Sequence, residues 1–476
     1  MKPHYFNKIL VLLILCTFFH YSKAQDGHYW TEQFGNKSML LSGTVNANVQ
    51  DLGLVFYNPG RLSQIENPAF VISAKVYELK KIRIVDGLGK GEDLKKSDFG
   101  GAPNLVAGTF KVPFLKNHHF SYSFLTRFRN DTEFSTRAYE IDQTIDDLLY
   151  SDLSAKIRSR NKLLEEWFGL TWSFKINDHW SVGLTTFGTQ TNNSAALDLQ
   201  LHGLTEADDV HVANFNRELG MNVYGILWKA GIAGTWEKIN LGLTITTPRI
   251  DISGKGNSVY EDHVAGLSEL ENEPVEDTYI ENYQNDLDAH MKSPLSVGLG
   301  ISFNLQKSIF HLSSEWFNKI DHYTMMEAVP FTGQSSADTL YYRLIDNLSS
   351  VINFGLGFEH YFNKKFEIYG SFATDFSAVN SDSGYLFQFG DDVTNSTFDG
   401  DIYHFGGGFA LNLKWAELTL GATFASATRQ IPRPLDIGGD QILNSDAFSD
   451  LKYSRWRFIV GFSFPFADKI TDNLTN

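Results

Sequence analysis

The spacing of strand-like segments constrains this chain more than any single residue in it. Period-two segments lie near 69–79, 104–113, 119–130, 167–176, 180–192, 223–236, 239–253, 294–304, 308–320, 351–362, 366–378, 402–413, 417–429 and 453–464. Short links fall at Phe114–His118, Asn177-Asp178-His179, Glu237-Lys238, Leu305-Gln306-Lys307, Asn363-Lys364-Lys365 and Lys414-Trp415-Ala416. Between them the links are long: about 80–103, 131–166, 193–222, 254–293, 321–350, 379–401 and 430–452. Alternating short and long links, with an even number of strands, is the plan of a bacterial outer-membrane barrel, with short periplasmic turns and long external loops. A soluble sandwich has no reason to obey it. The expected fold class is all-β, a transmembrane antiparallel β-barrel of about 14 strands.

The strands carry the pattern of a lipid-facing wall. In the last one, Trp456, Phe458, Val460, Phe462 and Phe464 share one face, and Arg455, Arg457, Ile459, Gly461 and Ser463 share the other. Side chains alternate across a strand, so one face is apolar and the other holds two cations. Phe120, Tyr122, Phe124 and Phe128 alternate with Ser121, Ser123, Arg127 and Arg129, and Ile352, Phe354, Leu356 and Phe358 alternate with Asn353, Gly355, Gly357 and Glu359. Aromatics make up 14% of the chain, which suits a wall of this kind better than a cytosolic enzyme. Arg127, Arg129, Arg455 and Arg457 are the candidate lumen residues. They could hold a ligand carboxylate, or pair with lumen carboxylates such as Glu359, Glu367 and Asp375.

Residues 1–24 read as a signal peptide: Lys2 and Lys8, an apolar run Ile9–Phe19, then Ser22-Lys23-Ala24. The apolar run is too short to span a bilayer as a helix. Its Cys16 is the only cysteine, and Leu15 before it gives no lipid-anchor signal, so disulfides and thiolate chemistry are excluded from the mature chain. Removing Lys2, Lys8 and Lys23 leaves 37 basic against 56 acidic residues, a net charge of −19. Nucleic acid is therefore no expected partner. The acid concentrates in long links: Glu261–Asp288 holds ten carboxylates, and Asp391, Asp392, Asp399 and Asp401 form a second cluster. Neither has the ligand spacing of a calcium loop, so no metal and no cofactor is expected. Ile141, Ile145, Leu148, Leu149 and Leu153 have helical spacing and predict a short amphipathic helix on the external face.

Residues 25–68 precede the first strand, the barrel is expected over 69–464, and 465–476 form a periplasmic tail. The early segment is rich in small residues but contains Leu54-Val55-Phe56-Tyr57-Asn58-Pro59. A ring of this strand number encloses more space than its wall side chains fill. The segment is long enough to enter it as a plug.

The run Asp51 … Val55-Phe56-Tyr57-Asn58-Pro59-Gly60-Arg61-Leu62 resembles the plug motif of the FadL/TodX family of outer-membrane transporters. Asn58 and Pro59 match its central pair, while Gly60 and Arg61 stand where the family has Ala and Gly. The resemblance implies a 14-stranded barrel with an N-terminal hatch. It implies uptake of fatty-acid-like or aromatic-hydrocarbon-like molecules, which bind in apolar pockets and leave sideways into the membrane. Asp51, Phe56, Tyr57, Asn58 and Pro59 are the corresponding plug and ligand candidates. The same architecture occurs in Bacteroidetes barrels without assigned transport function and in barrels of the type IX secretion system, and Ser-Lys-Ala-Gln at the cleavage region suits such a source.

The expected function is passive uptake of a small hydrophobic molecule through a plugged lumen, by a monomer in the outer membrane of a Gram-negative bacterium, with membrane lipid as its surroundings. The alternative is a non-transporting assembly or scaffold barrel serving protein secretion. A membrane-embedded hydrolase would need a nucleophile beside His311, His360 or His404, and no nucleophile motif accompanies them, so no enzyme is expected.

Overall fold

The computed structural model describes residues 27–65, 68–110, 112, 114–115, 117–145, 148–269, 276–379, 390–394, 398–413, 416–433 and 447–465. The signal-peptide and tail readings lie outside them. In chain order the strands are β1 Pro68–Ile84, β2 Leu94–Phe110, β3 His118–Ile145, β4 Leu148–Lys175, β5 Trp180–Thr205, β6 Val210–Thr235 and β7 Ile239–Thr246. Then come β8 Ile250–Ala265, β9 Thr278–Asp288, β10 Ser296–Leu305, β11 Ser308–Phe317, β12 Ile320–Glu327, β13 Phe331–Thr332, β14 Thr339–Leu340 and β15 Arg343–Leu348. The last are β16 Val351–Asn363, β17 Phe366–Asp375, β18 Asp392–Thr394, β19 Ile402–Asn412, β20 Glu417–Pro432 and β21 Phe448–Pro465.

The ring runs β1 to β7, then β10, β11, β16, β17, β19, β20 and β21, which pairs back to β1. Each expected period-two segment falls on one of these fourteen strands, except that 239–253 runs past the end of β7 into β8. β8 prolongs the β7 stave along β6 after a break at 247–249, and β9 pairs with β8 alone. The outer surface carries exposed Phe168, Leu170, Leu299, Phe354, Leu356, Phe405 and Phe458. At the short-turn end, rings touch between neighbouring strands: Phe110 with Phe120, His118 with Trp172, and Trp180 with Trp236. An apolar band bordered by aromatics is the surface a bilayer requires.

The wall is uneven in height. β3 and β4 have 28 residues each, whereas β10, β11 and β17 have 10 each. Tilted strands need about 9–11 residues to span a bilayer, so only the tall side projects far beyond the membrane. The expected helix over Ile141–Leu153 is instead the top of the β3–β4 hairpin, paired Thr144 to Leu149 and Ile141 to Asp152. Its apolar spacing fits a helix, but the neighbouring strands satisfy its backbone groups.

The tall side is folded over the mouth. Phe134, Ile157, Leu197 and Leu199 pack with Ile82, Ile84, Ile402 and Ile431 from the tops of β1, β19 and β20. A small sheet, β12-β15-β18, contributes Met325, Met326 and Leu344, and Tyr342 just before β15 joins them, in a second cluster with Leu219, Met221 and Val223 of β6. The long links 254–293 and 321–350 are thus largely a structured roof. Within it, Arg217 bonds both oxygens of Asp262 and lies 3.3 Å from the Tyr260 ring centre.

Candidate ligand site in the lumen

Residues 27–65 lie inside the ring and touch both sides of it. Two short helices, Lys37–Leu40 and Leu54–Tyr57, are followed by a 3-10 turn, Pro59–Ser63. Asp51 ties them together. It accepts from the Ser38 amide at 3.0 Å, the Ser38 hydroxyl at 2.9 Å and the Gly53 amide at 2.9 Å. Burial raises its carboxyl above the usual range, and these donors oppose that rise. Gly35, at φ +89°, leaves room for it: a Cβ there would stand 2.3 Å from Asp51 Oδ1.

Asn58 and Pro59 sit at the wall rather than beside a ligand space. The Asn58 amide donates to the carbonyls of Asn46, at 3.0 Å, and Ile232 of β6, at 3.1 Å, while its oxygen accepts from Gly60. Pro59 begins the turn, where its fixed φ is compatible and its missing N–H costs nothing. Arg61 donates to Thr235 of the wall at 2.6 Å and to Asn48 at 2.9 Å. Burial lowers its pKa to about 10. Tyr57 accepts from the Phe34 amide at 2.9 Å.

On the opposite side Lys37 bridges Glu367 at 3.0 Å and Glu417 at 2.7 Å. Arg457 joins Glu32 of the segment to Glu78 of β1, and Arg455 donates to the Thr31 carbonyl at 2.7 Å. Asp375 receives the Trp30 amide and the Thr31 hydroxyl. Both C-terminal arginines therefore clamp the segment, and neither faces a ligand space. Inward-facing wall glycines make the approach close. A Cβ at Gly183, Gly242, Gly300, Gly408 or Gly461 would lie 2.3–2.7 Å from an atom of Pro59, Asn46, Ala47, Leu40 or Asn36, respectively, or nearer to the wall itself.

Above the segment is a cavity of about 120 Å³, beside Tyr29 and Phe56 of the segment, Trp167 of β4 and Leu227 of β6. Arg127 enters it from β3. Its guanidinium donates to the Tyr29 carbonyl at 2.8 Å and lies 5.5 Å from the Phe56 ring and 5.7 Å from that of Trp167. Among the described residues no carboxylate lies within 4.0 Å of it. The other two buried cations lining it are paired: Arg249 Nε is 3.0 Å from Asp251, and Lys229 Nζ is 3.6 Å from Glu315, which also accepts from Ser296 at 2.7 Å and Trp30 at 3.0 Å.

Arg129, expected in the lumen, is exposed. A bulge between Thr126 and Phe128 changes the parity of β3, so Asn130, Thr132 and Phe134 turn inward and Arg129 outward. Lys229, Glu315, Trp167 and Leu227 were not singled out in the sequence. Lys229 carried a signal, a lone cation on the inward row Leu227, Gly231, Ala233. Glu315 lies on a distant strand, and nothing local links the two.

The wall weakens beside this cavity. β2 pairs with β3 only from Leu105 to Phe110, so the two edges separate above that level. Unpaired edges are costly against hydrocarbon. Arg127 and Phe128, which line the cavity, lie just past Leu125, where the pairing of β3 with β2 ends.

Neither a protein-family model nor a curated protein matches the sequence. Solved structures do match. A FadL homologue of Pseudomonas aeruginosa aligns over 92% of this chain and 100% of its own, with TM-score 0.59 and 11% identity. The toluene transporter TodX of P. putida aligns over 91% and 99%, with TM-score 0.56 and 11% identity. The chain has the FadL/TodX barrel fold. The monoaromatic hydrocarbon channel CymD also shares it, at TM-score 0.55 and 12% identity over 91% of this chain and 97% of its own.

Proposed function

We propose that this chain is an outer-membrane channel for passive uptake of a small hydrophobic molecule, and that the molecule carries an acidic group. The carrying observation is Arg127, a buried guanidinium without a carboxylate partner, set between two aromatic rings at a cavity. A carboxylate entering there would gain a charge-assisted hydrogen bond in a site shielded from water. Phe56, Trp167 and Leu227 would hold the apolar part. The volume is near that of an engineered cavity that admits benzene, about 150 Å³, which favours a short or ring-sized ligand over an extended chain. The segment 25–68 acts as the plug, the chain 69–464 as the wall after removal of 1–24, and 465–476 as a periplasmic tail. One chain closes its own ring, so a monomer suffices as the working unit. The separation of β2 from β3 beside Arg127 supports exit sideways into the membrane.

The test is ligand-induced quenching of tryptophan fluorescence, with benzoate, a medium-chain fatty acid and toluene as probes. The Arg127→Leu variant should weaken binding of both acids by about tenfold or more, matching the about 1.5–3 kcal/mol of a charged hydrogen bond, and leave toluene nearly unchanged. Equal loss for all three, or no binding by the parent protein, would overturn the reading in favour of a sealed scaffold barrel.

A further inference from the structure

Among the described short turns, two arcs of the ring differ in charge. On the β4–β7 arc its lysines are offset: Lys175 pairs with Asp178 at 3.0 Å, and Lys238 follows Glu237. On the β10–β17 arc Lys307, Lys364 and Lys365 are exposed, and among the described residues none has an ion pair. The turns Gln306-Lys307 and Lys364-Lys365 contain no acidic residue. They are fixed to neighbouring strands: the Lys307 carbonyl accepts from the Tyr361 amide at 2.8 Å, and the Lys365 carbonyl from the Asn412 amide at 2.9 Å. Three ammonium groups are thus held on one rim of a net-acidic protein.

A chain of rings lies immediately above them, on the same strands and the adjoining β19. Phe310 meets Phe358 at 5.1 Å, His360 meets Phe362 at 4.7 Å, Phe362 meets Phe366 at 5.6 Å and Phe366 meets Phe409 at 5.8 Å. Leu305 and Phe362 are more than half exposed. Aromatic belts settle at headgroup depth. Turns of two or three residues cannot carry the lysines far beyond that layer, whereas flexible lysine stems can place ammonium groups within it.

We propose that this arc docks anionic phospholipid headgroups of the periplasmic leaflet. The proposal rests on the membrane orientation above and not on the transported ligand. Each lysine near an anionic surface is worth about 1 kcal/mol, or about fivefold in affinity, and raised salt should weaken the interaction. The geometry suits a phosphodiester better than a bulky partner, because the lysines stand at the foot of a lipid-facing wall.

The test offers phosphatidylglycerol and phosphatidylethanolamine in equal amounts to the full-length mature protein in micelles and counts retained lipids by native mass spectrometry. The parent should retain phosphatidylglycerol preferentially. The combined variant Lys307→Gln, Lys364→Gln, Lys365→Gln should lose that preference by about a hundredfold, and Lys175→Gln with Lys238→Gln should keep it. No preference in the parent, its survival in the triple variant, or equal loss in the control pair would overturn the proposal. Heat-modifiable gel migration of every variant checks the barrel itself, so a missing lipid preference in a folded barrel counts against the docking arc alone.

Discussion

The two sides of the ring obey different rules. β10, β11 and β17 are barely long enough to cross a bilayer, and their outward residues are apolar. β3 to β6 run 26–28 residues, and on their upper halves the polarity is reversed. Outward Arg129, Asp131 and Arg137 are exposed there, while inward Phe134, Ile157, Leu197 and Leu199 are buried. One strand therefore begins as membrane wall, apolar outside, and ends as half of a water-soluble sandwich, apolar inside. The difference shows that strand length alone does not mark the membrane. The change in which face is apolar does.

Deleting residues 40–66 tests the separation between wall and filling most severely. The wall keeps its ladder, because strand pairing satisfies its backbone, while an unfilled lumen of this width conducts. Single-channel conductance in planar bilayers should rise from near zero to that of an open pore. A folded deletion protein with low conductance would mean that the segment does not fill the lumen.

A smaller effect should follow at the clamp. Arg457→Leu removes one of the two guanidinium groups on the buried Glu32 and takes the guanidinium from Glu78, a loss of about 3–5 kcal/mol for a broken buried pair. Denaturant unfolding in detergent should show it, and Arg129→Leu, on the exposed face, should cost less than about 0.5 kcal/mol. Comparable losses would contradict the parity change at the β3 bulge.

Close packing of segment on wall comes next. A side chain at Gly408 meets Leu40 Cδ1 at 2.7 Å as well as wall backbone. Gly408→Ala should destabilise by about 1–3 kcal/mol. Leu40→Ala in the same protein should recover part of that loss, and strictly additive losses would separate the two residues.

The roof should respond on its own. Met326→Ala empties part of the cluster shared by β6, β8, β9 and the small sheet. Limited proteolysis should cut between 320 and 348 sooner, at a cost of about 2 kcal/mol to that region, while heat-modifiable migration of the barrel is retained. Loss of that migration would mean that roof and ring fold as one unit.

The ring was legible in the sequence because its aromatic residues recur every second position and short turns punctuate them. The roof was not. Ser154-Ala155-Lys156-Ile157-Arg158-Ser159 resembles any polar link until β3 and β5 flank it, and Ile141–Leu153 satisfies a helical period that strand pairing overrides. Asn58-Pro59 marked the segment that enters the ring, but the space for a ligand depends on Lys229 and Glu315, which only ring closure brings together. Arg129 was misplaced because an inserted residue shifts every later side chain to the other face.

Residues that hold the earliest part of the described chain come from the latest. Arg455 and Arg457 belong to β21, the strand that closes the seam from Pro68 with Pro465 to Ile84 with Leu451. Until that strand arrives, Glu32 and the Thr31 carbonyl have no guanidinium to meet. Closing the seam and setting this arginine clamp are therefore a single event in assembly, and a chain truncated before β21 would have an open edge and lack both arginines at once.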